Sequence, residues 1–584
     1  MLRDAPNLNY LFAGLVVEEL IRNGVEWFVV CPGSRSAPLA WAIASHPRAK
    51  TVVHHDERGA AFHALGLAKG SGKPAVFVCT SGSAVANALP AVVEASHGGV
   101  PMILLTADRP PRLQGTGANQ TINQVGIYRE FVRWERNFVV DDEHFDVDEI
   151  LPAVDSAYSR TTGLWPGPVH LNCMMDEPLA PESAGGDTPD WSRRLSPLSS
   201  WLRSSAPVQL IKTGHTYIDP LGEKRRLQAM SAASCGVLIL GQLSPPDMEM
   251  ALSVLDRLRW PVIPDIASGF RIRETPRCAH YAIHYVDRLI GAADVVVHLG
   301  GPITSRRTLD AVAKFRQEYI RVSPSSGGLN PNGNVSQRLT VDLRGFSQML
   351  EMTSRIEATS EWMKTAVEPG RVVVGALEDA FADDDPISEP ALAYRVSRAA
   401  KSSATLFLGN SMPIRDMDLF GHAGSRGPSV ETNRGASGID GNIATAAGIA
   451  RATERPVVAV IGDLAALHDL NSLALVRDLK TPFLLVVQNN DGGGIFNLLP
   501  IAKHKEHFER FFGTPHGFGF EYAAKMYGLP CCQPMTNGEF AAILVQCTAT
   551  PGPVLIEVRT NREENARIHR ELDAKIRAAL DTVR

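Results

Sequence analysis

The sequence predicts an α/β protein built from three doubly wound domains with mostly parallel sheets. Short continuous apolar runs recur along the chain, the pattern of strands buried on both faces of a parallel sheet. Stretches with helical periodicity separate them, so the alternation reads strand, crossover, strand. Several runs end in small or polar residues, at the carboxyl edge where open parallel sheets bind ligands.

At 584 residues the chain has room for roughly three or four domains. Apolar content of 44% and charged content of 21% suit a large globular core. A net charge of −5 gives no general case for binding nucleic acid or membrane. The eight cysteines are scattered without zinc-site spacing and read as reduced thiols. The start, MLRDAPNLNY, lacks a basic segment followed by an apolar signal core, and no apolar run reaches transmembrane length. A cytoplasmic protein is expected.

Residues 1–182 form the first domain. A helix is expected over 9–23 and strands over 26–31, 51–54, 75–79 and 100–106. Each strand runs into a polar loop: Pro32-Gly33-Ser34-Arg35-Ser36, Asp56-Glu57-Arg58-Gly59, Thr80-Ser81-Gly82-Ser83, and Asp108-Arg109-Pro110. A polar, glycine-containing loop over 114–124 follows. The composition then shifts to Ser, Pro, Gly and Asp, with SAGGDTP (183–189) the clearest linker signal. A smaller α/β domain over 205–355 carries strands at 236–240, 261–263, 294–299 and 319–322. Its loop 300–307 ends in Arg306-Arg307, an ordinary solvated turn on its own terms. A second linker lies near Ala382-Asp383-Asp384-Asp385-Pro386.

The last domain, 375–584, has strands at 405–408, 457–461 and 483–487. The second and third of these bracket VVAVIGDLAALHDLNSLALVRDLKTPFLLVVQNN: strand, Gly-Asp, one amphipathic helix, strand, Asn-Asn. Twenty-five residues separate Asp463 from Asn489, enough for one helical crossover between adjacent parallel strands. A carboxylate at one strand end and an amide at the next are oxygen ligands for a hard cation such as Mg²⁺, which phosphates then complete.

The blocks CPGSRSAPL, DERGAAFHALGLAKG, TSGSAVANALPAVVEA, LTADRPPRLQGTGANQTI, NRGASGIDG, GDLAALHDLNSL and NNDGGGIFNLLP carry a resemblance over nearly the whole chain. The sequence resembles the thiamine diphosphate (ThDP) enzymes of the pyruvate decarboxylase and acetolactate synthase superfamily, with pyrimidine-binding, middle and diphosphate-binding domains in that order. Leu464 stands where the superfamily usually has Gly, a departure that points to its isochorismate-using subgroup in menaquinone biosynthesis. The resemblance implies a transferase that decarboxylates 2-oxoglutarate and adds the succinyl carbanion to isochorismate by 1,4-addition, releasing CO₂.

By the same resemblance Glu57 is the catalytic carboxyl at N1′ of the aminopyrimidine. Ile439 is the apolar support that bends the cofactor, and Ser411 and Ile495 touch it. Asp463, Asn490 and the carbonyl of Gly492 ligate Mg²⁺ or Mn²⁺ against the diphosphate. Both substrates are dianions, and arginine forks grip carboxylates bidentately. Arg35, Arg109, Arg306, Arg307, Arg415 and Arg434 are the implied clamps, with Ser34, Gln120 and Ser411 as polar partners and Phe496 and Leu499 as an apolar wall. Taken singly, each arginine is more often a surface residue. Segment 502–512, AKHKEHFERFF, reads as a surface helix and, more sharply, as a lid. His54, His55 and His468 have no partner spacing and read as structural. The implied assembly is a homodimer or a dimer of dimers with active sites between subunits.

Three other readings fit the sequence less well. A pyruvate-using ThDP enzyme has no need of so many carboxylate clamps. A dinucleotide-binding protein requires a G-x-G-x-x-G turn after a strand, which is missing. A catalytically dead homologue would have lost Glu57 or Asp463, and both are present.

Overall fold

Three large parallel sheets and one two-stranded pair organise the described residues. The computed structural model describes residues 2–182, 189–211, 223–324, 330–424 and 427–583. The linker signal at 183–189 lies, except for Pro189, outside the described residues. The chain divides into two units. One comprises Met1–Thr213, Asn433–Glu454 and His468–Leu479, and the other Gly214–Thr432, Arg455–Leu467 and Lys480–Arg584.

In the first unit, β1 (Trp27–Val30), β2 (Lys50–Val53), β3 (Ala75–Cys79), β4 (Met102–Asp108), β5 (Glu135–Val140) and β6 (Pro168–Met175) form a sheet in the order β2-β1-β3-β4-β6-β5. Every pairing is parallel. Strands β3, β4 and β6 are buried along their whole length, which accounts for the apolar runs at β3 and β4. The apolar-run reading passes over β6 because His170 and Asn172 interrupt it. Both are fully buried and both pair with the Thr106 hydroxyl, at 2.8 and 2.9 Å. Edge strand β5 is only partly buried, so it too lacks a continuous apolar run.

The second unit holds three sheets. Strands β7 (Gly236–Leu240), β8 (Leu258–Arg259), β9 (Val262–Pro264), β10 (Val295–Leu299), β11 (Glu318–Ser323), β12 (Gln337–Thr340) and β13 (Ile356–Glu357) belong to its middle part. Five of them form the parallel sheet β12-β11-β10-β7-β9, and β8 pairs with β13 alone. The last sheet contains β14 (Thr405–Leu408), β15 (Ser429–Thr432), β16 (Val457–Gly462), β17 (Phe483–Asn489), β18 (Cys531–Cys532) and β19 (Pro553–Arg559), ordered β15-β14-β16-β17-β19-β18 and wholly parallel. Counted from its own first strand, this is the order of the first sheet again. In both, the chain leaves the first strand outward and returns on its other side. The loops after the first and third strands therefore face one crevice at the switch point.

One expectation fails between β16 and β17. The single amphipathic helix expected between these strands is broken into Asp463–His468, a 3₁₀ turn Leu470–Ser472 and Leu473–Val476. The cause is Asp469, which is 1% exposed: its carboxylate accepts the Ala444 N–H at 3.0 Å and the Ser472 hydroxyl at 2.7 Å. Held by these two bonds, Asp469 itself leaves helical geometry, at φ −114° and ψ 24°.

Candidate active site

At the carboxyl edge of the last sheet, Asp463 follows β16 directly and Asn490 follows β17, and these two strands are paired neighbours. Asp463 is 2% exposed. Its Oδ2 accepts the N–H groups of Asn490 (3.1 Å) and Gly492 (2.9 Å) and lies 3.2 Å from Nε2 of His516; its Oδ1 accepts the Leu464 N–H at 2.7 Å. Burial raises the Asp463 carboxyl above its ordinary pKa, against the hydrogen bonds from Gly492 and His516.

The two asparagines divide the work. The amide nitrogen of Asn489 donates to Glu557 Oε1 at 2.7 Å and to the Phe518 carbonyl at 2.9 Å, so this side chain is spent on structure. Asn490 donates through Nδ2 to Glu389 Oε1 at 2.7 Å, and its Oδ1 is buried without a hydrogen-bond partner. Next to a buried carboxylate, an unpaired amide oxygen is a donor set for a hard cation. Among the described residues no group of three or more His, Cys, Asp or Glu side chains could hold a metal. A set of one carboxylate, one amide oxygen and one backbone carbonyl is not a group of that kind. These residues fit a magnesium diphosphate.

The backbone between them is tightly constrained. Asp491 and Gly492 have φ of 61° and 131°. A Cβ at Gly492 would lie 1.9 Å from the Gly513 carbonyl, so the turn requires glycine there on both counts. The Gly493 N–H donates to that carbonyl at 2.8 Å, which ties the turn to segment 500–513. That segment is not one helix. It runs through a 3₁₀ turn (Pro500–Lys503), a helical turn (Lys505–Phe508) and a π turn (Glu509–Gly513). Ile495 and Phe496 lie half-buried in the 3₁₀ stretch Gly494–Leu498, and Leu499 is 44% exposed.

In the same unit Ser411 takes φ 70°, a strained setting for a non-glycine residue, just before the helix Met412–Phe420. Its carbonyl accepts from Arg415 at 2.6 Å. Arg306 and Arg307 open the helix Arg306–Lys314, paired with Asp310 at 2.9 Å and Asp573 at 2.7 Å. The Arg306 side chain is 83% exposed and Arg307 is spent on the last helix, so neither is drawn towards Asp463 by these contacts.

The first unit carries the other expected residues. Glu57 opens the helix Glu57–Ser71 behind an Asp56 N-cap, and its Oε2 lies 3.4 Å from Asn87 Nδ2. Arg35, after β1, is buried; it donates to the Met175 carbonyl at 2.9 Å, and its Nε has no partner. Burial depresses its pKa, with the charge of Arg109 second. Arg109 donates to Ser81 Oγ at 2.5 Å and to the Asn119 carbonyl at 2.9 Å. Gln120, at φ 55°, exchanges hydrogen bonds with Ser81 at 3.0 Å each way. Arg35, Ser81, Arg109 and Gln120 are thus one cationic cluster at the crevice, with Ser34 exposed beside it.

Arg434 and Ile439 fall in segment 433–454, which clusters with the first unit. Glu94, 3% exposed, holds their loop by accepting the N–H groups of Gly435 and Ala436 at 2.8 and 2.7 Å. Arg434 is half-buried and Ile439 is 41% exposed. His54 is 3% exposed and lies against His55, with ring centroids 4.7 Å apart and the rings tilted by 48°; burial lowers it to about 4. His468 lies against Arg58, whose guanidinium donates to its carbonyl at 2.5 Å. Nε2 of His54 is buried without a hydrogen-bond partner.

Sequence reasoning missed Glu94, Glu389 and His516. Glu389 sits in Ser-Glu-Pro, where Ser388 caps a helix and an acid in the first turn is ordinary. His516 lies in the loop GTPHGFG, whose glycines flanking a histidine downstream of the Asn-Asn strand end were the available signal.

The comparisons bear on what such a site belongs to. Residues 12–127 match the thiamine pyrophosphate enzyme N-terminal TPP binding domain, 192–408 the middle domain of thiamine pyrophosphate, and 422–558 the thiamine pyrophosphate enzyme C-terminal TPP binding domain. The protein is a thiamine pyrophosphate enzyme. Among relatives, the 2-succinyl-5-enolpyruvyl-6-hydroxy-3-cyclohexene-1-carboxylate (SEPHCHC) synthase of Rubrobacter xylanophilus is 44% identical over 98% of this chain and 99% of its own. That of Salinibacter ruber is 38% identical over 99% and 98%, and that of Pelodictyon phaeoclathratiforme 37% over 97% and 96%. The chain belongs to the SEPHCHC synthase family.

Proposed function

We propose that this protein is the ThDP- and Mg²⁺-dependent transferase that makes SEPHCHC from 2-oxoglutarate and isochorismate, releasing CO₂. The observation that carries the metal and cofactor part is the buried Asp463 carboxylate beside the unpaired Asn490 oxygen at neighbouring strand ends. When bound, ThDP supplies the carbanion-stabilising chemistry that decarboxylation and carboligation need. Asp463, Asn490 and the Gly492 carbonyl hold the cation that neutralises its diphosphate. Glu57 holds a proton at N1′ of its aminopyrimidine. Ile439 supplies apolar support to the cofactor, and Ser411 and Ile495 are its further binding residues.

Arg35 and Arg109 bind and orient substrate carboxylates, with Ser34 and Gln120 as neutral donors. Their neighbouring positive charges supply the field that two dianions require. Arg415 and Arg434 extend the same role, and Phe496 and Leu499 exclude water from the ring acceptor. Arg306 and Arg307 are the weakest members, being ion-paired on a helix of their own.

The domains of this reading are 1–182, 205–355 and 375–584. Its assembly is a homodimer, or two such dimers, in which Glu57 of one protomer works with the partner subunit's Asp463. Activity from a monomer in sedimentation would overturn that assembly. The function itself is tested by incubating the protein with ThDP, Mg²⁺, 2-oxoglutarate and isochorismate and weighing the product. SEPHCHC and CO₂ in equal amounts are expected. Turnover with pyruvate in place of 2-oxoglutarate, and none with 2-oxoglutarate, would overturn it.

A further inference from the structure

Asn490 is useful to a cation only if its oxygen, and not its nitrogen, faces the metal. Nothing in an asparagine side chain decides this by itself, because the two ends of the amide have the same shape. The decision here is made by Glu389. Its side chain is 1% exposed, and a single oxygen, Oε1, accepts from Asn490 Nδ2 at 2.7 Å, Asn565 Nδ2 at 2.7 Å and the Thr560 hydroxyl at 3.2 Å. As a carboxylate, a buried acceptor of this kind can face only the nitrogen of Asn490. Turning the amide over would set two oxygens against each other at hydrogen-bond distance, without water to separate them.

Two further observations make the arrangement rigid. Glu389 is itself pinned from behind, since its backbone N–H donates to Asn565 Oδ1 at 3.1 Å. Asn565 therefore grips Glu389 through both ends of its own amide. On the side of the glycine turn, a Cβ at Gly494 would come within 2.5 Å of Asn490 Nδ2, so the amide is confined between Glu389 and Gly494.

We propose that Glu389 is the positioning residue for the metal site: it fixes the rotamer and the orientation of the Asn490 amide, so that Oδ1 is presented to the cation before the cation arrives. It touches neither metal nor substrate. Outer groups that orient ligands in this way change metal affinity by roughly ten- to a hundredfold when removed. The inference rests on the metal role proposed above for Asp463 and Asn490.

The test is a Mg²⁺ titration of the full-length protein at fixed ThDP and a single pH, followed by calorimetry and intrinsic tryptophan fluorescence, so that binding is read without turnover. Glu389→Ala is expected to weaken apparent Mg²⁺ affinity roughly ten- to a hundredfold. Glu389→Gln is expected to stay within about threefold of wild type, because its oxygen can occupy the Oε1 position and still accept from Asn490. That rescue separates an orienting role from a loss of charge. Gly494→Ala crowds the amide from the other side and should weaken Mg²⁺ in the same direction, which keeps the inference open to refutation if Glu389→Ala does not fold. Wild-type Mg²⁺ affinity in Glu389→Ala, or equal losses in the Gln and Ala variants, overturns the inference alone. If Glu389→Ala is unfolded, unchanged affinity in Gly494→Ala does the same. A wild-type protein whose ThDP binding is indifferent to Mg²⁺ overturns the metal reading, and this inference with it.

Discussion

The first and last sheets share one strand order, yet their carboxyl edges are dressed in opposite chemistry. After β1, β3 and β4 the first sheet presents Arg35, Ser81 and Arg109, a cationic cluster. After β16 and β17 the last sheet presents Asp463 and Asn490, an acidic and amide-bearing cluster. Topology fixes where ligands can sit; the side chains at the strand ends decide which ligands sit there. An anionic substrate suits the first edge and a cation carrying a diphosphate suits the last.

The largest effect that could break this comparison is at the third strand of each sheet. Asp463→Ala should abolish Mg²⁺-dependent ThDP binding and lower turnover by roughly a thousandfold or more, since a ligand to the anchoring cation is lost. Ser81→Ala, in the equivalent loop after β3, should leave ThDP binding alone and raise KM by about tenfold, because Arg109 loses its 2.5 Å partner. Equal loss of ThDP binding in both variants, by calorimetry, would show that the two edges are not specialised.

Next in size is Glu57→Gln. It should keep ThDP affinity within several-fold while slowing exchange of the thiazolium C2 hydrogen by roughly 10²–10⁴, the range expected for loss of a proton-handling group. Wild-type exchange in deuterated buffer would remove Glu57 from that role. Arg434→Ala is the third test and should raise KM for one or both substrates by roughly ten- to a hundredfold with little change in ThDP affinity. Unchanged kinetics for 2-oxoglutarate and isochorismate would confine the cationic function to the edge of the first sheet.

Much of this was legible in the sequence, for physical reasons that differ by element. Strand β3 is buried on both faces and apolar along its length, and in the equally buried β10 and β14 a single polar residue, His298 or Thr405, lies near one end and leaves the apolar run readable. Strand β6 was illegible because His170 and Asn172 are paid for by a partner on another strand, Thr106. The crossover after Asp463 was misread because Asp469 looks like an ordinary polar residue on a helix face until Ala444, distant in sequence, supplies its hydrogen bond. The site shows the same division. Asp463 and Asn490 stand at strand ends, where position alone marks them. Glu389 and Glu94 act across long sequence separations on groups that only the fold brings near.

The smallest expected effect concerns two buried histidines that titrate in opposite senses. His170, on β6, has its Nε2 at 2.8 Å from the Thr106 hydroxyl and no carboxylate beside it, and burial lowers it from 6.5 to about 3. His569, in the helix Arg562–Asp581, donates from Nδ1 to the Asn565 carbonyl and from Nε2 to Asp416, both at 2.7 Å, so the imidazolium fits. Burial opposes the charge, but Asp416 outweighs it and His569 rises to about 9, with Glu389 adding to the same side. The signs follow from linkage. The stability His569 contributes is complete below about 6.5 and is lost as pH climbs from there through 9. The stability tied to neutral His170 is complete above about 6.5 and erodes as pH falls towards 3. Each limb is worth roughly 1.4 kcal/mol per pH unit at most within its window. Glu389, raised by burial to about 7, exacts its cost between its ordinary value near 4.5 and 7, so the alkaline limb above that belongs to His569. Hydrogen exchange corrected for intrinsic rates should therefore show β6 losing protection on the acid side of neutrality and the helix Arg562–Asp581 on the alkaline side. His569→Gln should flatten only the second. Loss of protection by both elements on the same side would mean that the two units do not differ in how they hold buried charge.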